Sequence, residues 1–167
     1  QNHLSLFSEN LAPFYQNGKY GFVNKSNKIV IPCEYEMVWG FHKGLAKVKK
    51  DKKLGYINPK NEIIIPIEYD ELSTFAEGLV ISKKNGKIGF LNEKNEIIIP
   101  FIYQDAFPFK DSLAIVQSGV NQKWGCIDRQ GNVKVLFNYD EISSFSEGYA
   151  RVVFEGKEGI IDKNNVL

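Results

Sequence analysis

The heptapeptide KNEIIIP stands at residues 60 to 66 and again, letter for letter, at residues 94 to 100, 34 residues further on. Extending that spacing in both directions brings nearly the whole chain into register. Gly21, Gly55, Gly89, Gly125 and Gly159 form one column, set in KYGFVN, KLGYIN, KIGFLN, KWGCID and KEGIID, with a two-residue expansion in the third interval. Eleven residues after the glycine come Pro32, Pro66, Pro100 and then Leu136, and three further on Tyr35, Tyr69, Tyr103 and Tyr139. Phe41, Phe75, Phe109 and Phe145 follow, and KGLAKV, EGLVIS, DSLAIV and EGYARV complete the copies. The N-terminal LFSENLAPF fits the last third of the pattern, with Phe7 in the phenylalanine column and Leu11 beside Leu45.

A period near 34 also suits helix-pair repeats, but the local chemistry reads as strand. The apolar stretches are rich in Ile, Val, Phe and Tyr, run for only four to six residues, and are punctuated by Gly, Asn and Pro. Each copy supplies three strands, called here A (45 to 49), B (54 to 58) and C (62 to 66). Five such sets fit between Leu11 and Leu167, the fifth C strand beginning at Asn165. Between B and C stand NKSN, NPKN, NEKN, DRQG and DKNN. Asn or Asp opens a type I turn by accepting bonds from downstream amides, and Asn or Gly closes it in the left-handed region. The fold class is therefore all-β, an array of about five three-stranded antiparallel units.

Three consecutive isoleucines do not alternate, so strand C is expected to be covered on both faces, one cover being the neighbouring copy. The proline is expected to end the strand by removing a ladder donor, leaving a long connection to the next A strand. The glycine inside strand B predicts close approach of a ring or of another backbone. A single copy buries too little apolar surface to offset its chain entropy, whereas adjoining copies share a core. One domain is expected over 1–167: a partial repeat 4–17, repeats 18–51, 52–85, 86–122 and 123–156, and a partial repeat 157–167.

Composition narrows the partners. Twenty-one Lys and Arg face 20 Asp and Glu, a net charge of +1, so neither nucleic acid nor an anionic membrane is called for. No apolar run approaches the roughly 20 residues a membrane helix needs, so no membrane insertion is expected. Cys33 and Cys126 occupy apolar columns of different copies and read as buried free thiols. The chain opens at Gln1 without an initiating Met, as expected either of a processed exported protein or of a trimmed chain.

These residues resemble the WG repeat family, whose loose pattern is F-x-E-G-L-A-x-V, then K-W-G-Y-I-D-x-x-G, then I-V-I-P-x-x-Y-D. KWGCIDRQG at 123 to 131 is the nearest copy, with FSEGYARV at 145 to 152 and FAEGLVIS at 75 to 82 close. The family tryptophan is kept only at Trp124 and is otherwise Tyr20, Leu54, Ile88 and Glu158; Leu136 replaces the proline and Ser112 a glycine. The resemblance implies a bacterial β-repeat scaffold, exported to the periplasm or cell surface, with a cytoplasmic location as the alternative. It brings no catalytic residue set and implies an interaction role. Glu158, a polar residue in a mostly apolar column, favours an open curved array over a five-bladed propeller-like ring.

The chemical signals point the same way. His3 and His42 lie outside any metal-like cluster, and His42 aligns with Ala76, Lys110 and Ser146, so no metal, cofactor or catalytic site is expected. Recurring carboxylates, Glu34 with Glu36, Glu68 with Asp70 and Glu71, and Asp140 with Glu141, read as loop-amide and rim contacts rather than as a hydrolase pair. The lysines of KVKKDKK at 47 to 53 read as edge protection. Where the repeat is broken, a residue either fills space left by a small neighbour or is kept for a partner. Trp39 and Phe107 fill a column that is serine at Ser73 and Ser143. With Met37, His42, Phe101 and Pro108 nearby on the connections, and Val120 in the expanded SGVNQK loop at 118 to 123, they are the candidate partner-binding residues. The expected partner is another protein, the alternative a cell-envelope glycan.

Overall fold

The computed structural model of the chain describes residues 7 to 164 and contains strands, turns and connections, with no helix among the described residues. It divides into two compact units, Gln1–Leu72 and Ser73–Leu167. In the first, β1 (Leu11–Gln16), β2 (Lys19–Asn24) and β3 (Ile29–Tyr35) form one antiparallel sheet. β4 (Met37–Val38), β5 (Ala46–Lys50), β6 (Lys53–Ile57) and β7 (Ile63–Tyr69) form the next, in that order, and β8 (Glu71–Leu72) ends the unit. In the second, β9 (Leu79–Lys84), β10 (Lys87–Asn92), β11 (Ile97–Ala106), β12 (Leu113–Ser118), β13 (Trp124–Asp128) and β14 (Val133–Tyr139) run as one continuous ladder. β15 (Glu141–Ile142), β16 (Tyr149–Phe154) and β17 (Lys157–Asp162) make a separate three-stranded sheet. None of these sheets closes on itself among the described residues. His3, the first residues of the partial repeat 4–17 and the fifth C strand from Asn165 lie outside the described residues.

The A, B and C strands are present in register, but strand C departs from expectation in two ways. The proline does not end it: β3, β7 and β11 run through Pro32, Pro66 and Pro100 to the tyrosine. Leu54 pairs with Tyr69 and Tyr56 with Ile65, so three residues of strand C arch over the single residue Gly55, and proline sits in the arch, where no ladder donor is needed. Leu136 occupies the same arch opposite Gly125, so proline is not required for it. Nor is strand C covered on both faces. Ile63 and Ile97 are 58% and 61% exposed, while Ile65 and Ile99 are 0% and 1% exposed. A second shift, between the pairs Ile57–Ile63 and Tyr56–Ile65, breaks the two-residue alternation and turns the first isoleucine outward.

The connection beyond the tyrosine is not all loop. In the first unit β4 pairs with β5 as a short fourth strand, and in the second Asp105 and Ala106, still within β11, pair with Gln117 and Val116. β11 thus serves two successive strand sets without a break.

The turn chemistry is as the sequence requires. Asn58 Oδ1 accepts from the amides of Lys60 and Glu62 at 3.0 and 2.9 Å, and Asn61 closes the turn at φ 62°. Asn24, Asn92 and Asp128 act likewise, with Asn27, Asn95 and Gly131 in the left-handed position.

Each core is shared between successive copies. Ile31 and Tyr35 pack with Phe41, Ala46, Val48 and Ile57 in the first unit. Ile99 and Tyr103 pack with Phe109, Ala114, Val116 and Ile127, and Val135 and Tyr139 with Phe145, Ala150, Val152 and Ile161, in the second. Ring pairs fasten two of these seams: Phe22 lies edge-on to Phe41 with centroids 4.8 Å apart, and Phe90 to Phe109 at 5.0 Å, geometry worth about 1 kcal/mol beyond area burial. Carboxylate clasps add to them. The Gly44 amide donates to both Glu9 oxygens at 3.1 and 3.2 Å, and the Ser112 amide donates to both Glu77 oxygens at 3.1 Å.

Candidate interaction surface

The column that holds Trp39 and Phe107 has two solutions. In the serine copies the hydroxyl folds back: Ser73 Oγ accepts from the Ile81 amide at 2.8 Å and Ser143 Oγ from the Arg151 amide at 2.9 Å. The same backbone geometry persists with aromatics, since the Trp39 amide donates to Lys47 O at 2.9 Å and the Phe107 amide to Ile115 O at 2.8 Å. An aromatic ring cannot accept as the hydroxyl does, so it projects from the strand instead. The backbone tolerates either residue type, and the choice is therefore free for another purpose.

In the first unit Met37 and Trp39 alternate outward opposite Lys49 and Lys47, while Val38 packs against the core. The Lys47 ammonium lies over the Trp39 ring, 4.4 Å from its centroid, and donates to Leu72 O at 3.0 Å. Burial lowers the Lys47 pKa from its ordinary value. Trp39 is half-buried, Met37 and His42 are exposed, and Met37 lies within β4 rather than on a loop.

In the second unit Phe107 is 52% exposed, its ring 5.5 Å from that of Trp124. With Pro108 it forms one wall of a cleft of about 360 Å³, whose floor is apolar (Phe109, Leu113, Ile115 and Phe145) and whose rim carries Lys110 and Asp111. Two departures from the repeat meet at this seam. Asp111 is one methylene shorter than Glu9 and Glu77, and no clasp joins it to the Gly148 amide. Cys126 stands where Phe22 and Phe90 supply rings. Its thiol is fully buried, its pKa pushed up to about 12 by desolvation. Val120 is 96% exposed on a loop pinned by Asn121 Nδ2 donating to Phe137 O at 3.0 Å, and it does not line the cleft.

The remaining signals are structural in placement. Glu34 accepts from Asn61 and Lys50, both at 3.0 Å, and the Tyr35 hydroxyl donates to Asn61 at 2.6 Å. Those bonds, Asn61's first, lower the Glu34 pKa, and burial raises Tyr35 to about 12. Lys53 binds Asp70, Lys123 binds Asp140, and Arg151 reaches Glu141 at 3.7 Å. The lysine-rich segment lies on β5 and β6, inner strands of their sheet, so edge protection is not its role. Cys33 and Cys126 are both free, but Cys33 is only half-buried, its Sγ 3.5 Å from Phe14 O, because it sits in the arch of β3. Among the described residues no group of three or more His, Cys, Asp and Glu side chains is gathered as a metal ion would need.

Sequence reading picked out Phe107 and Pro108 but missed the cleft beside them, along with Ser144 and Phe145 that line it and the Lys47 ammonium over the Trp39 ring. The available signals were the lost ring at Cys126 and the shortened carboxylate at Asp111.

Repeated antiparallel strand sets, shared cores and clasps one period long define an antiparallel β-repeat protein. The sequence matches the WG containing repeat at residues 20–53, 55–87, 88–121 and 124–157, and the chain belongs to that family. None of the curated proteins matches it. Among solved structures, the N-terminal domain of Nup159 is similar at 10% identity and a TM-score of 0.50, over 89% of this chain and 51% of that one. A eukaryotic initiation factor is similar at 13% identity and a TM-score of 0.52, over 89% and 47%. The chain thus spans about half the length of these structures, and at such identity the likeness is one of fold alone.

Proposed function

We propose that the chain is a non-catalytic protein-interaction module that grips apolar side chains of a partner protein with Trp39, Phe107 and the cleft beside Phe107. One observation carries this reading: a column whose serines satisfy backbone amides in two copies holds outward-projecting aromatics in the other two. Large rings kept at a surface where the scaffold itself accepts serine are what an interface core uses, since Trp and Phe bury much area at low entropic cost. The near-zero net charge suits a partner bound by shape and apolar contact rather than by long-range attraction.

The double variant Trp39→Ser with Phe107→Ser tests it, because serine restores the bonding of the sister copies. The melting temperature is expected to stay within about 3 °C of the parent, while proteins captured from a lysate of the source organism and identified by mass spectrometry are lost. A fall of more than about 8 °C would return both rings to the core. Saturable binding on a glycan array, removed by the same pair, would replace the protein partner with an envelope glycan.

A further inference from the structure

Val38, Ala46, Val48 and Ile57 turn to the core of the first unit, so their neighbours on β4, β5 and β6 share the opposite face of that sheet. Two cross-strand rows lie there. Met37, Lys49 and Leu54 make one, by the pairs Met37–Lys49 and Lys49–Leu54. Trp39, Lys47 and Tyr56 make the other, the Trp39 amide donating to Lys47 O and Lys47 pairing with Tyr56. These six places hold two lysines and no carboxylate. Further along the chain the equivalent places hold Glu71 with Lys83, then Asp105 with no cation, then Glu141 and Glu158 with Arg151. In the last of these sets the Arg151 guanidinium lies 3.7 Å from Glu141 and 2.6 Å from Glu158. Lys47 stands in the column of Arg151, but Met37 and Leu54 stand where its two carboxylates would be. Among the described residues neither Lys47 nor Lys49 is ion-paired. Lys47 gives one of its three donors to Leu72 O and leans on the Trp39 ring, contacts that leave its charge in place. A half-buried ammonium with no carboxylate beside it carries a desolvation cost that an incoming anion offsets.

We infer, resting on the reading of Trp39 as a partner anchor, that this face receives an acidic segment of the partner protein, with an apolar side chain against Met37 and Trp39 and a carboxylate within reach of Lys47 and Lys49. The group that holds the equivalent cation elsewhere in the chain is a carboxylate, which favours an acidic peptide over a nucleic acid. A formal charge of +1 also gives the whole chain little pull on a phosphate backbone.

The test pans a phage-displayed library of random peptides against the 167-residue chain and follows the enriched sequences as fluorescent peptides by anisotropy. Enriched peptides are expected to join Asp or Glu to large apolar residues. Met37→Glu, which restores the carboxylate of the sister copies, and Lys49→Gln should each weaken their binding about tenfold or more, with melting temperatures within about 3 °C of the parent. Changing the acidic residues of the peptide to their amides should weaken it as much. No enriched peptide, or equal binding to Met37→Glu and Lys49→Gln, overturns the inference. Neutral apolar peptides that Trp39→Ser releases overturn it while leaving Trp39 an anchor, whereas acidic peptides that bind Trp39→Ser undiminished remove the anchor as well. Binding of a single-stranded oligothymidylate that Lys49→Gln abolishes, without acidic peptides, overturns the choice of partner in favour of nucleic acid.

Discussion

Two seams of the second unit differ in a few atoms and end up with different surfaces. Where Phe109 meets Phe90, a ring pair fills the interior and the Glu77 carboxylate bolts the Ser112 turn from outside. Where Phe145 meets Cys126, a small thiol stands in place of the ring and Asp111 makes no clasp, and a cleft lies beside Phe107 and Pro108. The strands on either side keep the same register, so the scaffold tolerates an unsealed seam. A regular fold can thus create a concave site by omission, with no inserted element.

Converting the closed seam into the open one should have the largest effect. Phe90→Cys removes a fully buried ring and should cost about 3 kcal/mol in denaturant unfolding; a loss under about 1 kcal/mol would mean that ring packing does not seal the seam. Glu77→Ala removes a partly exposed, charge-assisted clasp, and a smaller loss of about 1 kcal/mol is expected by the same measurement. The reverse exchange, Asp111→Glu, lengthens the side chain towards the Gly148 amide. It should gain about 0.5 kcal/mol and narrow the cleft, so that capture of the partner weakens while stability rises. If stability and capture rose together, the cleft would not be where the partner is held.

The repeat, its strands and the turn between B and C were legible because each rests on local rules: β-branched runs, an Asx residue opening the turn, a left-handed residue closing it. The glycine column was legible too, since a missing side chain inside a strand signals close approach, and the approaching atoms are the carbonyls of strand C. Pro66 was misread for a physical reason. Proline lacks a ladder donor wherever it stands, and only the pairing register distinguishes a strand end from an arch that needs no donor. Ile63 was misread likewise, because an apolar run implies two buried faces only while the alternation is unbroken. The cleft joins Phe107 and Asp111 to Ser144 and Phe145, and residues more than 30 apart in sequence that line one space give no local signal.

The clasps from Glu9 to Gly44 and from Glu77 to Ser112 each reach one period along the chain and no further. Reinforcement between copies is therefore strictly between neighbours, so the gain or loss of a whole copy leaves every remaining bolt with its mate. A protein fastened this way can change its length by gene duplication while each retained copy keeps the contacts it already had.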